Sequence, residues 1–323
     1  MNLEASTRKF RFYARGVVES RCLWNGLFRP RLQGVKAELR QYPEEEQAEI
    51  WKRVNHSNRL EDPFEVSPDA IRWRSRKMTP RPSYYFDLHR VLKYFPADWL
   101  IDYRFGDVQE VRDFVRLTKT RPIGAVEENR NNVLLKLNSV RHFRSVRDSM
   151  RFREKKDFLV WRGKAFSDHR KVLLRNLSGQ PRCDVGHSML SRPLEVPEWN
   201  RRFMSIPEQL ENKFILSVEG NEVATNLKWI ARSNSLCFMP RPRFESWFCE
   251  GRLEPGRHYV EVRKDFSDVP EKVDYFLSHP EEAEEIVREM KAYASPFWDR
   301  KKERLISILV MEKYFRLSGQ LPS

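Results

Sequence analysis

The sequence predicts an α/β fold with parallel sheet in two domains, and three observations carry that reading. Residues 214–218 form a short apolar run, Glu219-Gly220-Asn221 a turn signal, 223–232 an apolar stretch of helical character, and 235–239 a second apolar run ending at Pro240. Strand, glycine turn, helix, strand is the unit of a parallel sheet. Such a turn aims backbone N–H groups and a helix dipole at one point beyond the strand end, which suits a phosphate. The chain of 323 residues is 40% hydrophobic, with 9 Trp, 21 Phe and 10 Tyr, enough for two cores of ordinary size. The highly charged stretch RSVRDSMRFREKK at 144–156 then reads as a solvated helix or linker between two α/β halves of similar size.

Residues 1–35 are basic and irregular, and RKFRFYARG alternates cations with aromatics. This segment reads as a surface arm toward membrane or glycan phosphate, or as an edge strand or short helix covering a domain. Residues 36–61 read as helix broken near Pro43, because Glu44, Glu45 and Glu46 after a proline suit a first helical turn. The Pro-rich, charged 62–82 stretch reads as loop. Apolar residues at helical spacing predict a helix over 84–95, ended by Pro96. WLIDYRF at 99–105 reads as a short strand, Gly106-Asp107-Val108 as the turn after it, and 131–143 as strand followed by a basic segment. In the second half, 157–161 is a strand entering Arg162-Gly163-Lys164, 168–177 a helix, and 181–213 mixed loop and helix. Pro280 splits the helical 269–292 stretch, and 298–316 reads as a basic amphipathic helix.

A net charge of +14 favours anionic partners such as nucleic acid, acidic lipid or phosphorylated glycan, unless it serves solubility alone. Cys22, Cys183, Cys237 and Cys249 are widely spaced, which argues against a disulfide framework or a zinc site and for a reducing compartment. Neither a signal-peptide apolar region nor a membrane-length apolar run stands out, so a soluble or peripheral protein is expected.

The segments EGNEVATNLKWI, SNSLCFMP and ESWFCEGRLEPGRHYVEV resemble the donor-binding half of glycosyltransferase family 90. That family includes capsule-associated fungal xylosyltransferases, protein O-glucosyltransferases and bacterial lipopolysaccharide glycosyltransferases, and the segments look most like the bacterial branch. The resemblance runs over residues 55–315. It implies a GT-B fold, two Rossmann-like domains facing across a cleft. Residues 1–150 would bind the acceptor and carry a basic N-terminal arm, 151–295 would bind the nucleotide sugar, and a C-terminal helix at 296–323 would return to the first domain. It implies an inverting, metal-independent enzyme moving a sugar of the glucose, galactose or xylose class from a UDP-sugar to a hydroxyl of a lipopolysaccharide core or related surface glycan. The expected place is cytoplasmic, in peripheral contact with the inner membrane.

Similar enzymes carry an Arg-Gly turn after a strand and an arginine eight residues on, here Arg162, Gly163 and Arg170, so the resemblance implies nucleotide contact. Gly163 permits close backbone approach, and the arginines fork onto phosphate oxygens. Gly220, Asn221, Thr225 and Lys228 form a second donor group: Gly220 allows the turn, Thr225 caps the helix and Lys228 supplies a point charge. Asn226 stands where eukaryotic members usually have an arginine. Glu245, in RFESWF, is a candidate for the ribose hydroxyls. Each charged residue among these has a plainer reading as a solvated surface side chain. Asp107 is the candidate general base. It follows a strand end and a glycine, where side chains face a cleft, and the family's catalytic aspartate sits at the equivalent strand end. Asp102, within the strand, competes with it, and an Asp after Gly is otherwise a turn former.

No Asp-x-Asp stands at a strand end, and His142, His187 and His258 are scattered. No metal is therefore expected; arginine, lysine and a helix N-terminus would neutralise the leaving diphosphate. The alternative is a basic nucleic-acid- or glycan-binding protein without catalysis, for which charge and interleaved aromatics are the footprint. No helix-turn-helix, zinc-finger or RNP-like stretch supports nucleic acid as a partner.

Overall fold

The computed structural model describes residues 3–22, 28, 31–80 and 82–321. Residues 23–27 and 29–30 of the basic arm lie outside that set. The chain divides into two compact units: Met1–Phe143 with Arg243–Glu250 and Phe297–Ser323, and Arg144–Pro242 with Gly251–Pro296. Residues 243–250 thus lie in the first unit, whereas the sequence reading places them in the second.

The first unit is organised on the helix Arg300–Leu317. Its many cations suggest an amphipathic surface helix, but Leu305, Ile306, Ile308, Leu309, Val310, Met311, Tyr314 and Phe315 are all buried. A helix apolar on most sides is a core helix, and each such side chain contributes about 1.5–3 kcal/mol. Lys302 and Arg304 remain at the surface, ion-paired with Glu46 and Glu38. The helices Glu44–Ser57 and Pro82–Leu92 pack against it. The first of these begins with Glu44, Glu45 and Glu46 after Pro43, as the sequence predicts. Part of the N-terminal arm is a long helix, Leu3–Cys22, lying on Pro82–Leu92. Gly16 makes that approach possible, since a Cβ there would come within 2.4 Å of the Phe86 ring.

The strands are numbered in chain order. β1 (Ile71–Arg72) pairs antiparallel with β2 (Leu100–Ile101). Beyond β2, Tyr103 bridges Leu117 of β3 (Arg116–Thr118) in parallel, and β3 pairs in parallel with β5 (Asn132–Leu134). β4 (Thr120–Pro122) pairs antiparallel with β10 (Phe244–Ser246), which fixes residues 243–250 in this unit.

The second unit holds five parallel strands: β6 (Lys156–Gly163), β7 (Cys183–His187), β8 (Asn212–Leu216), β9 (Leu236–Met239) and β11 (Val260–Glu261). Their order across the sheet is β11-β9-β8-β6-β7. β9 is buried throughout, as the strand of a sheet covered on both faces must be. Leu173, Leu174 and Leu177 of helix Asp168–Leu177 close on the sheet with Val269, Val273 and Phe276 of helix Val269–Ser278 and Ala283, Ile286 and Val287 of helix Pro280–Ala294. The last two part at Pro280, as the sequence indicates. β7 falls in a stretch read as loop and helix. It is an edge strand, and CDVGH mixes polar and apolar residues because an edge need not be buried on both faces.

Two other expectations change. Of the two readings of the charged 144–156 stretch, helix or linker, the helix fails: apart from the short turn Phe152–Glu154 it is irregular chain leading into β6, pinned by Lys155 Nζ on Asp148 at 2.9 Å. The helix expected over 223–232 shrinks to one turn, Leu227–Ile230, with Asn226 rather than Thr225 at its N-cap position. The Asn226 side chain accepts from Ser217 Oγ at 3.1 Å and donates to the Leu216 carbonyl at 2.9 Å. Those bonds tie the start of the turn to the end of β8.

Candidate functional site

In the second unit the chain leaves β6 toward β7 on one side and returns to β8 on the other. β6 and β8 are therefore the neighbours at which the strand order reverses, and ligands of open α/β sheets bind outside the carboxyl ends of such a pair. Gly163 ends β6. A Cβ on it would meet the Trp161 ring at 2.5 Å, so only glycine lets the chain fold back over that indole. Arg170, in the first turn of helix Asp168–Leu177, reaches across the reversal. Its Nε donates to Glu219 O at 3.0 Å, Nη2 to Val218 O at 2.8 Å and Nη1 to Lys164 O at 3.0 Å. His169 Nε2 lies 2.8 Å from the same Glu219 carbonyl. Gly220 packs under this guanidinium, where a Cβ would stand 3.3 Å from Nη2. Gly163, Arg170 and Gly220 are thus brought together, while Asn221 is exposed on the following bend.

The remaining donor candidates sit differently. Arg162 donates from Nη2 to both carboxylate oxygens of Asp184, at 2.7 and 2.8 Å, and from Nη1 to the Asp184 carbonyl at 2.7 Å. Asp184 is on β7, so Arg162 clamps two adjacent strands. Lys228 is wholly buried within its single helical turn, and Thr225 is half-buried without capping it. The dipole expected from that segment belongs to the ten-residue helix after β6 instead. Lys164, the last residue of the RGK run and not among the expected donor contacts, is an exposed cation just after β6. His187 is a buried hydrogen-bonding residue: Nδ1 accepts from Ala165 N at 3.0 Å, and Nε2 donates to the Met189 and Arg192 carbonyls.

In the first unit the strand expected over 99–105 is confined to β2, and Asp107 lies beyond it, after the single bridge at Tyr103 and just past Gly106, whose φ of 106° only glycine adopts freely. The Asp107 side chain is 44% exposed, with Oδ1 3.4 Å from Nζ of the buried Lys119. Lys119 directly follows β3, so it holds Asp107 near the carboxyl end of that strand. Burial raises the competing Asp102 carboxyl, and its backbone N–H faces the Tyr314 hydroxyl at 3.5 Å. On helix Pro82–Leu92, Asp87 accepts from the Ser139 N–H and hydroxyl at 2.7 and 2.9 Å, and burial pushes its carboxyl up to about 6.

Glu245 has a different setting. β10 carries it into the first unit, where it is fully buried. Oε1 accepts from Arg121 Nε at 2.8 Å and Arg59 Nη2 at 3.1 Å, and Oε2 lies 2.8 Å from His56 Nε2. Burial would raise this carboxyl, but His56, Arg121 and Arg59 hold it down at about 2. Burial would lower His56, but Cys249 and Glu245 push it up to about 9. None of the three partners is marked by a sequence motif. A second closed cluster surrounds Glu303, which accepts from Lys136 Nζ and Trp247 Nε1 at 2.6 Å each and pairs with Arg53. Among the described residues no three His, Cys, Asp or Glu side chains gather as metal ligands would, and no helix is long and apolar enough to cross a membrane.

The sheet order and the glycine-lined reversal define a doubly wound α/β protein. Comparison with known proteins makes this specific. The model of the family described as glycosyl transferase family 90 matches residues 125–304. "O-glucosyltransferase LpsA" of Dichelobacter nodosus is 44% identical over 291 residues, covering 88% of this chain and 89% of that protein. Human "Protein O-glucosyltransferase 3" is 25% identical over 122 residues, 38% of this chain and 24% of that one. The chain belongs to glycosyl transferase family 90 and is a glycosyltransferase.

Proposed function

We propose that this enzyme is an inverting O-glucosyltransferase of the GT-B type, transferring glucose from UDP-glucose to a hydroxyl of a lipopolysaccharide core or related surface glycan. The observation that carries the donor site is the convergence of Gly163, Arg170 and Gly220 on the carboxyl ends of β6 and β8, where the strand order reverses. The similarity over most of both chains to a protein named an O-glucosyltransferase favours glucose. The diphosphate lies at the amino end of helix Asp168–Leu177, with Arg170 holding the two strand ends and Lys164 supplying an open positive charge. No metal is required on this reading.

Asp107 is the base. Its carboxylate takes the acceptor hydroxyl proton while that oxygen attacks the anomeric carbon from the face opposite the nucleotide. The bond from the anomeric carbon to the phosphate oxygen breaks, and its electron pair leaves with UDP. Lys119 orients the carboxylate and Gly106 shapes the turn that presents it.

The test is a thermal-shift panel of UDP, GDP, CMP and their sugars, with and without EDTA, followed by transfer from labelled UDP-glucose to core lipopolysaccharide. A nucleotide at roughly 100 times its dissociation constant stabilises by about 2.7 kcal/mol. A shift with UDP alone that survives EDTA, and a β-linked product, are expected. A shift abolished by EDTA or a retained anomeric configuration defeats the mechanism; salt-sensitive nucleic-acid binding with no nucleotide shift would revive the non-catalytic reading.

A further inference from the structure

The helix Leu3–Cys22 has two faces of opposite use. Gly16 and Glu19 are buried against Pro82–Leu92, and Phe12 and Tyr13 rest edge-on against Phe86. The Arg90 guanidinium lies 4.4 Å from the Phe12 ring, and Glu19 pairs with Arg15, Arg90 and Lys93. This face anchors the helix. On the opposite side Phe10 is 73% exposed, Val18 51% and Val17 37%, and Ala14 is exposed between them. At helical spacing Phe10, Ala14, Val17 and Val18 fall in one stripe roughly 100° wide, the width of an apolar face that needs a partner. Exposed Arg11 borders it on one side, with exposed Arg15 beyond, and exposed Lys9 stands on the other side past Tyr13. A core helix would bury such a stripe, and a solvated helix would not have it.

We propose that this face docks on the surface of an anionic phospholipid bilayer, with Phe10, Val17 and Val18 in the boundary between headgroups and acyl chains and Lys9 and Arg11 on the lipid phosphates. Charge selects the occupant. A second copy of a chain with net charge +14 would bring like charges together, whereas acidic lipid meets both the apolar stripe and its basic borders. The helix lies flat, because its other face is held by Pro82–Leu92. This inference stands on the helix alone and does not depend on the donor, the base or the acceptor proposed above.

The experiment is co-sedimentation of the full chain with vesicles of phosphatidylglycerol and phosphatidylethanolamine, and with phosphatidylcholine vesicles. Strong, salt-sensitive binding to the anionic vesicles alone is expected. Phe10→Asp with Val18→Asp should abolish it, and Lys9→Glu with Arg11→Glu should weaken it by about fivefold or more for each cation. Lys156→Glu, an exposed cation of the second unit, should leave it unchanged. All variants should melt with the parent, since the substituted side chains are exposed. Full binding after Phe10→Asp with Val18→Asp overturns the proposal, as does an equal loss in Lys156→Glu. It is also overturned if the apolar-face variant turns a dimer into a monomer while leaving vesicle binding intact.

Discussion

Two carboxylates of the first unit, Asp107 and Glu245, were both marked by sequence as chemical groups, and their surroundings separate them. Glu245 is buried, and Arg59, Arg121 and His56 approach its two oxygens within 3.1 Å. Asp107 is 44% exposed on the turn after Gly106, with Nζ of buried Lys119 at 3.4 Å. A buried carboxylate satisfied by several cations serves the fold, because a ligand hydroxyl would have to displace a charge-assisted bond. A carboxylate with open surface at a strand end can take a proton from an incoming hydroxyl.

The largest expected effect tests the open side of this contrast. Asp107→Asn should lower kcat by 10²- to 10⁴-fold, the usual contribution of a positioned base, with UDP affinity and melting temperature near wild type. Near-normal turnover would remove Asp107 from the chemistry. Glu245→Gln tests the closed side. It leaves Arg59, Arg121 and His56 facing a neutral amide, and a loss of about 3–5 kcal/mol of stability is expected, read by chemical denaturation. A stable Glu245→Gln enzyme with a raised donor KM would instead restore Glu245 as a ribose ligand. The two arginines of the second unit repeat the contrast on a smaller scale. Arg170→Ala should weaken UDP binding about tenfold by releasing the ends of β6 and β8, against about 1–2 kcal/mol for loss of a charged hydrogen-bonding group. Arg162→Ala should lower stability through the lost Asp184 clamp and leave UDP affinity alone. Isothermal titration with UDP separates the pair, and equal affinities in both variants would reject the assignment of Arg170.

The same contrast explains what could be read in advance. The strands β6, β8 and β9 and the helices Asp168–Leu177, Val269–Ser278 and Pro280–Ala294 follow from local pattern: apolar runs, helical spacing and Pro280 at a break. Gly163 and Gly220 are marked by turns after strands, and Arg170 by the family resemblance alone; the fold brings the three together. The setting of Glu245 was not legible, since β10 pairs with β4 some 120 residues earlier and its cations come from two separate segments, His56 with Arg59 and Arg121. The burial of Arg300–Leu317 was hidden for a related reason. Its cations advertise a surface helix, and only the packing of Glu44–Ser57 and Pro82–Leu92 around it shows which side chains go inward. The edge strand β7 lacks the apolar run that marks its neighbours.

A pH dependence isolates the Glu245 cluster from everything else. Glu245 is held at about 2, below its usual 4.5, so its contribution is present above about pH 4.5 and lost as pH falls through 2. His56 is pushed up to about 9 from 6.5, so its contribution is complete below about pH 6.5 and lost as pH rises through 9. The guanidinium groups of Arg59 and Arg121 on the same carboxylate oppose the protonated ring, while Glu245 and Cys249 favour it. The two windows overlap between about pH 4.5 and 6.5, where the cluster is at full strength. From there to pH 9.5 the wild-type protein should lose on the order of 1–3 kcal/mol through this residue. His56→Gln keeps a hydrogen bond to Glu245 without titrating, so its stability should be lower at pH 6 and flatter above it. The two curves should converge near pH 9.5. Parallel curves would mean that His56 is neutral in the folded protein, and that Arg59 and Arg121 alone hold the buried carboxylate.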